Sequence, residues 1–131
     1  MQSFCDSHTT LEEIKHRCCE FRDARDWKRF HNPKDLALAL SCESAEILEL
    51  FRFKDVPTIE CELASDDTAR SALGDEMSDV LYFLLTLADH VDIDLSAAFE
   101  RKMRKNEEHY PVDLARGKNL KYTELGTGTA L

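Results

Sequence analysis

The sequence has few helix-breaking residues and no long apolar run. Only four of its 131 residues are glycine and three are proline, so little interrupts regular structure. The longest apolar stretch, residues 80–88, is interrupted by Thr86 and is far shorter than the roughly 20 residues that cross a bilayer. The first ten residues contain no basic or apolar segment of the kind found in secretory signals. We therefore expect a cytoplasmic protein that does not associate with a membrane.

Paired cysteine motifs and an excess of positive charge are also missing. The five cysteines include no Cys-x-x-Cys pair, which predicts reduced thiols rather than a disulfide framework or a zinc site. Seventeen Lys and Arg against 26 Asp and Glu leave a net charge of -9. This balance argues against a nucleic-acid polymer as partner. A phosphate-bearing ligand would need a divalent cation to offset the charge.

The composition predicts one all-α domain over residues 1–131. Apolar residues make up 43% of the chain and charged residues 33%, which is enough for a core under a charged surface. Apolar residues recur three and four positions apart, as in a bundle of about four main helices. These helices are predicted over residues 10–25, 33–53, 66–90 and 97–106. Thr10 and Glu13 have the spacing of a capping box, Asn32 precedes a proline as an N-cap, and Asp94 or Ser96 is the predicted cap of the last helix. Residues 55–67, which contain Pro57, are predicted to form a loop, and residues 1–9 and 126–131 are expected to be flexible.

Two of these helices each carry a pair of acids at their apolar face. At about 100° of rotation per residue, Glu43 falls inside the apolar stripe of the second helix, and Glu46 lies at its margin. Glu76 falls among the apolar residues of the third helix, and Asp79 lies at the edge. Both pairs have the same spacing of three residues.

Acids in such positions need a positive partner, because an unpaired carboxylate in an apolar stripe costs several kcal/mol. Three interpretations stay open from spacing alone: a divalent-metal site, a network of structural ion pairs, or ordinary solvated edges. Carboxylate oxygens suit magnesium, with manganese as the alternative ion. A metal held by acids fits a polyphosphate substrate. A di-iron site is less consistent, because neither Glu43 nor Glu76 is followed three residues later by histidine.

An aromatic group and a basic run complete the candidate features. Trp27, His31 and Phe53 lie near the ends of the second helix, and Phe83 lies on the third. Aromatic residues at such spacings either pack in a core or stack on a base. The basic run over residues 101–105 is either a solvated helix face or a contact for phosphates.

The acid pairs and the sequence around them resemble one known family. Segments 43–46 and 76–79 are similar to the ExxE and ExxD motifs of the all-α nucleoside triphosphate pyrophosphohydrolases of the MazG-like group. Segments 25–27, 49–51 and 121–125 resemble the dCTP pyrophosphatases of that group in order and spacing. The resemblance covers roughly residues 10–125.

The resemblance implies magnesium-dependent hydrolysis of a deoxynucleoside triphosphate to the monophosphate and pyrophosphate, which serves nucleotide-pool house-cleaning. It also implies a homotetramer whose protomers complete each other's sites. Carried over to this chain, the ligands of magnesium are Glu43, Glu46, Glu76 and Asp79, with Glu43 or Glu46 orienting or deprotonating the attacking water. The substrate-binding positions are Trp27, His31, Phe53, Phe83, Lys102, Asn106 and Tyr110.

The base pocket departs from the pattern of the dCTP enzymes. Cys18, Phe53 and Phe83 stand where those enzymes are expected to have histidine, tryptophan and tyrosine. Preference for dCTP or a modified dCTP is therefore one hypothesis. The alternatives are a related pyrophosphatase for dUTP or damaged nucleotides, and a non-catalytic helical oligomerisation module.

Overall fold

The computed structural model describes residues 4–126, and it confirms the predicted all-α class. Every regular element in that range is a helix. Short 3-10 turns occupy Trp27–Phe30 and Tyr122–Glu124. The six α-helices of the described range are α1 (Leu11–Asp23), α2 (Pro33–Phe51), α3 (Val56–Ser65), α4 (Asp67–His90), α5 (Leu95–His109) and α6 (Val112–Ala115).

The chain is organised as two compact units, Met1–Asp92 and Ile93–Leu131. The first contains α1 to α4, and the second contains α5 and α6. The expected single domain stays a prediction. Of the ends expected to be flexible, residues 1–3 and 127–131 lie outside the described range. Within the described part of the N-terminal end, the Cys5 carbonyl accepts the N–H of Thr9 at 2.9 Å and closes a turn. Within residues 4–126, none of the helices combines the length and apolarity that a membrane span requires.

The predicted caps of α1, α2 and α5 form, and α5 begins at Leu95, two residues before its predicted start. Thr10 and Glu13 form a capping box at α1, in which the Thr10 hydroxyl accepts the Glu13 N–H and the Glu13 carboxylate accepts the Thr10 N–H. Asn32 caps α2 and is followed by a proline in the first turn. Asp66 caps α4, and Asp94 caps α5. Each cap satisfies a backbone donor that the helix itself leaves unpaired.

The loop predicted over residues 55–67 is wrong, because most of it forms α3. The Asp55 carboxylate accepts the Thr58 N–H at 2.9 Å and begins the helix. Pro57 suggested a loop, but it stands in the first turn, where a missing N–H costs no helical hydrogen bond. Asp66 then ends α3 and caps α4 at once.

In the first unit, α4 packs against α2 on one side and α1 on another. Leu36 of α2 and Leu85 and Ala88 of α4 are the buried apolar residues of this unit's described part. Thr86 is also fully buried, and its hydroxyl donates to the Tyr82 carbonyl at 2.9 Å. The double packing agrees with the apolar character that α4 shows on more than one side.

We predict that Leu85→Ala lowers the free energy of unfolding by about 2–5 kcal/mol, because a side chain that is 1% exposed leaves a cavity in the centre of the unit. The measurement is urea unfolding followed by circular dichroism. Leu48→Ala is the matched control: this side chain is 70% exposed, and its loss should change stability by no more than about 0.5 kcal/mol. Equal losses in the two variants would contradict the described core.

Candidate active site

The packing of α2 on α4 brings three carboxylates together. One oxygen each from Glu43, Glu76 and Asp79 lies within 4.8 Å of the other two. Glu43 and Glu76 are half-buried, and Asp79 is exposed. The spacing of three residues explains why Glu76 and Asp79 meet, since such residues are neighbours on a helix surface. We call these three carboxylates the acid cluster.

Glu46 lies outside the acid cluster, but its negative charge still acts on Glu43. Its side chain is exposed, one turn along α2 from Glu43. Burial raises the pKa of the Glu43 carboxyl above its ordinary value, and the negative charges of Asp79, Glu76 and Glu46 raise it further. The three other acids predicted from the sequence are therefore all close enough to repel the Glu43 carboxylate, although only Glu76 and Asp79 share the short distances with it.

No cation within residues 4–126 forms an ion pair with any of these four acids. The nearby cations have other partners, so the described chain offers no ion-pair network for the acid cluster. The cluster's chemistry, hard oxygen ligands at short mutual distance without a protein cation, fits a divalent metal ion. The pairs formed instead are Lys34 with Asp35, Arg52 with Glu49, Lys54 with Glu62 and Arg70 with Asp67.

Trp27 and Phe83 are joined by two aromatic residues that the sequence pattern did not assign to the site. The Phe21 ring meets Trp27 edge-on at 5.7 Å and Tyr82 edge-on at 5.9 Å. Tyr82 in turn meets Phe83 at 5.1 Å. Trp27 is 43% exposed, so one end of this aromatic row is open to a ligand. Phe21 and Tyr82 gave no signal beyond apolar periodicity, which is equally typical of a core.

A cavity of about 310 Å³ lies between α1 and α4, beside this row. Its walls include Phe21 and Tyr82, together with Cys18, one of the departures from the pattern of the dCTP enzymes. Ser78 also lines it and is the chain neighbour of Asp79. An apolar recess therefore opens between α1 and α4, next to the aromatic row. A larger cavity of about 530 Å³, at the start of α1, is lined by none of the predicted site residues.

His31 lies at the entry to α2 with one ring nitrogen buried. Its Nδ1 has no hydrogen-bond partner within the described part of the chain. Burial lowers the pKa of the imidazole below its ordinary value, and the nearby positive charges of Arg22 and His90 lower it further, against an opposing effect of Asp23. The surroundings therefore favour the neutral ring, and its buried Nδ1 is a polar atom that a ligand can satisfy.

Phe53 is not part of the aromatic row within one chain. Its side chain is 93% exposed, and its backbone has a φ of 63°, a left-handed conformation that is uncommon for a bulky residue. The guanidinium of Arg52 covers the ring at 4.7 Å. A strained backbone that presents an aromatic ring to the outside is typical of a contact made with something beyond the chain.

The remaining predicted residues belong to the second unit. Lys102 and Asn106 are four residues apart on α5 and share a face, with Tyr110 at the end of the same row. The Tyr110 N–H donates to the Asn106 carbonyl at 2.8 Å and ends the helix. The Tyr110 ring meets Tyr122 at 6.1 Å, and His109 stacks on Tyr122 at 4.4 Å. The amine of Lys102, the amide of Asn106 and the phenol of Tyr110 thus follow one another along α5.

Comparison with known proteins shows the family. A sequence model of the MazG-like family matches residues 38–125. The chain is 44% identical over 120 residues to dCTP pyrophosphatase 1 of Mus musculus, covering 92% of this chain and 70% of the relative. It is 43% identical over 119 residues to dCTP pyrophosphatase 1 of Homo sapiens, covering 91% and 69%. The chain belongs to the MazG-like family, as the motifs predicted.

Solved structures agree with this assignment. The crystal structure of a pyrophosphatase from Archaeoglobus fulgidus superposes with a TM-score of 0.70 at 38% sequence identity. The match covers 83% of this chain and 99% of the archaeal one. The helical architecture is therefore shared by the archaeal protein and this chain.

We predict that Glu43→Gln raises the melting temperature of the metal-free protein at neutral pH. A carboxyl group whose pKa is raised in the folded state binds its proton more tightly there, so its ionisation destabilises the fold as pH rises above the ordinary glutamate value. The neutral amide removes this effect. Scanning fluorimetry in a chelating buffer at low salt measures it.

Two controls accompany this prediction. Glu60→Gln, at an exposed position of α3, should leave the melting temperature unchanged. With a divalent ion present, the wild type should melt at a higher temperature than Glu43→Gln, because the wild-type cluster gains stability from binding the ion. A Glu43→Gln protein that melts below the wild type in chelator would show that the carboxylates do not repel one another.

Proposed function

We propose that the protein is a magnesium-dependent nucleoside triphosphate pyrophosphohydrolase that prefers dCTP or a modified dCTP. It converts a deoxynucleoside triphosphate and water into the monophosphate and pyrophosphate. The observation that carries the proposal is the acid cluster of Glu43, Glu76 and Asp79, without a protein cation, in a chain 44% identical to a dCTP pyrophosphatase. A role in nucleotide-pool house-cleaning in the cytoplasm goes with this activity.

The four acids divide the catalytic work between them. Glu43, Glu76 and Asp79 would hold magnesium, with Glu46 as a further ligand or as the residue that acts on water. Magnesium held by these residues would neutralise phosphate charge and polarise the phosphorus–oxygen bonds. Glu46 lies outside the short distances of the cluster, which leaves its carboxylate free to orient the attacking water and accept its proton. Glu43 is the second candidate for that role.

The aromatic row and α5 supply the substrate contacts. The open Trp27 ring stacks on the base, and Phe83 supports the other end of the row. His31 offers its neutral ring to the base edge. Lys102 pairs with phosphate, and Asn106 and Tyr110 bind phosphate or sugar, because an amine, an amide and a phenol all donate to oxygen.

The functional unit is a homotetramer. Among residues 4–126, only Leu36, Leu85, Ala88 and Leu125 are buried apolar side chains, which is a small core for a chain of 43% apolar residues. Large apolar side chains are exposed instead, among them Phe99 at 68% and Phe53 at 93%. Such surfaces mark protein interfaces. A neighbouring protomer would then bring the exposed Phe53 ring to complete a base pocket.

The activity is tested by incubating the protein with magnesium and each common nucleoside triphosphate, plus methylated dCTP, dUTP and an oxidised nucleotide, and separating products by ion-exchange chromatography. We expect monophosphate and pyrophosphate, formed fastest from a cytosine deoxynucleotide. The same products from dUTP or from a damaged nucleotide would keep the reaction and change the base. Absence of cleavage of every triphosphate would leave the non-catalytic oligomerisation module as the better interpretation.

Glu76→Gln is expected to lower kcat by at least about 100-fold, since it removes a metal ligand. Asp75→Asn is the matched control, because Asp75 is the exposed chain neighbour of Glu76 and lies outside the cluster. Its kcat should equal that of the wild type. Full activity in Glu76→Gln would overturn the metal-site assignment.

The tetramer is tested by sedimentation equilibrium, which should give four times the 15.0 kDa mass of the chain. Phe99→Glu should lower that mass, because a charge replaces an exposed apolar side chain at the proposed contact. Glu107→Gln, at an exposed position of the same helix, should leave it unchanged. A wild-type protein that sediments as a monomer at assay concentration would contradict the proposal.

A further inference from the structure

Arg22 is the most deeply buried charge of the first unit's described residues. Its side chain is 2% exposed, although it stands near the end of α1 in a polar stretch of sequence. It donates to both oxygens of Asp23, from Nε at 2.7 Å and from Nη2 at 3.1 Å. Its Nη1 donates to Asp89 of α4 at 2.7 Å. One guanidinium therefore ties the end of α1 to α4.

The hydrogen bonds of Arg22 lie next to a residue of the aromatic row. Phe21, the chain neighbour of Arg22, connects Trp27 with Tyr82 of α4. A second arginine, Arg25, covers the Phe21 ring at 3.6 Å and donates to the Phe21 carbonyl at 2.9 Å. Any movement of the end of α1 against α4 would move Phe21, and the Trp27 ring that rests on it would move as well.

Arg22 also faces His31. The groups that act on the His31 ring are Arg22 and Asp23 of α1 and His90 of α4. Among these, the buried guanidinium is a permanent positive charge, because Asp23 and Asp89 hold its pKa well above the ordinary range. A fixed cation next to an imidazole opposes protonation of that ring.

We propose that Arg22 is a positioning residue for nucleotide recognition: it holds the end of α1 on α4 so that Phe21 and Trp27 form the stacking wall, and its guanidinium is the cation beside the His31 ring that meets the base. This rests on the proposed function of Trp27 and His31. The two actions use different properties of the side chain. The planar, forked guanidinium fixes the stacking wall of Phe21 and Trp27, and its positive charge acts on the His31 ring.

These two properties are separable by substitution. Arg22→Met keeps an unbranched apolar stem and removes both the forked guanidinium and its charge. Arg22→Lys keeps the charge and loses the fork, because an ammonium cannot make the same planar, bidentate contacts. Asp89→Asn keeps the shape of the α4 partner and weakens the tie. Arg70→Met is the control, since Arg70 is half-exposed and pairs with Asp67 at the start of α4.

The first readout is the pH titration of His31 in the 131-residue chain. NMR monitors the imidazole signals, and a His31→Asn variant identifies which signal belongs to His31. We expect the midpoint to move to higher pH in Arg22→Met and to stay at the wild-type position in Arg22→Lys and Arg70→Met. A His90→Asn variant separates the contribution of the other histidine. This measurement needs no substrate, so it stands whether or not the enzyme hydrolyses dCTP.

The second readout is steady-state hydrolysis of dCTP with magnesium. Arg22→Met and Arg22→Lys should raise KM by about tenfold with little change in kcat, because the acid cluster is untouched. Only Arg22→Met should also move the acid limb of the KM profile to higher pH. Trp27→Ala should raise KM in the same way, and Arg70→Met should change nothing.

The outcomes separate this inference from the function on which it rests. No hydrolysis by the wild type overturns the proposed function, and an unchanged KM in Trp27→Ala removes the stacking wall. A wild type that hydrolyses dCTP, with unchanged KM and His31 titration in Arg22→Met, overturns the role of Arg22 alone. If Arg22→Met does not fold, Asp89→Asn and Arg22→Lys decide: a wild-type KM in both rejects the positioning role.

Discussion

The repulsion among acids on two packed helices is the constraint on which the rest of the molecule depends. Packing α2 against α4 places carboxylate oxygens of Glu43, Glu76 and Asp79 within 4.8 Å of one another, and burial, together with the neighbouring negative charges, raises the pKa of Glu43. Apolar contacts between the helices must outweigh this repulsion when no metal is bound. A divalent ion removes the conflict, so stability and metal binding are coupled through one surface.

The charges where α4 packs against α1 are arranged differently. There the buried guanidinium of Arg22 meets carboxylates of two helices, and this arrangement satisfies charges that would otherwise be costly inside the unit. Acids without a cation thus lie where α4 packs against α2, whereas the Asp89 carboxylate of α4 pairs with the Arg22 guanidinium of α1. The aromatic row between α1 and α4 links this ion pair to the proposed base pocket.

The small core agrees with the proposal that more than one chain forms the functional unit. The described residues leave large aromatic and aliphatic side chains in contact with water, and Phe53 holds a strained backbone with its ring exposed. Strain and exposure together have a physical explanation if the ring serves a neighbouring protomer. The base pocket would then be shared between chains, whereas the acid cluster belongs to one chain.

The sequence by itself determined the helical class, the main caps and the acid pairs, because these depend on local spacing: Thr10 with Glu13, Asn32 before Pro33, and acids three residues apart. It did not determine α3, since Pro57 is equally compatible with a loop and with a first helical turn. Only the tertiary structure decided that Glu46 lies outside the short distances, that Phe21 and Tyr82 connect Trp27 with Phe83, and that Arg22 is buried. These features arise between helices, where the partner of a side chain depends on packing and not on its neighbours in the chain.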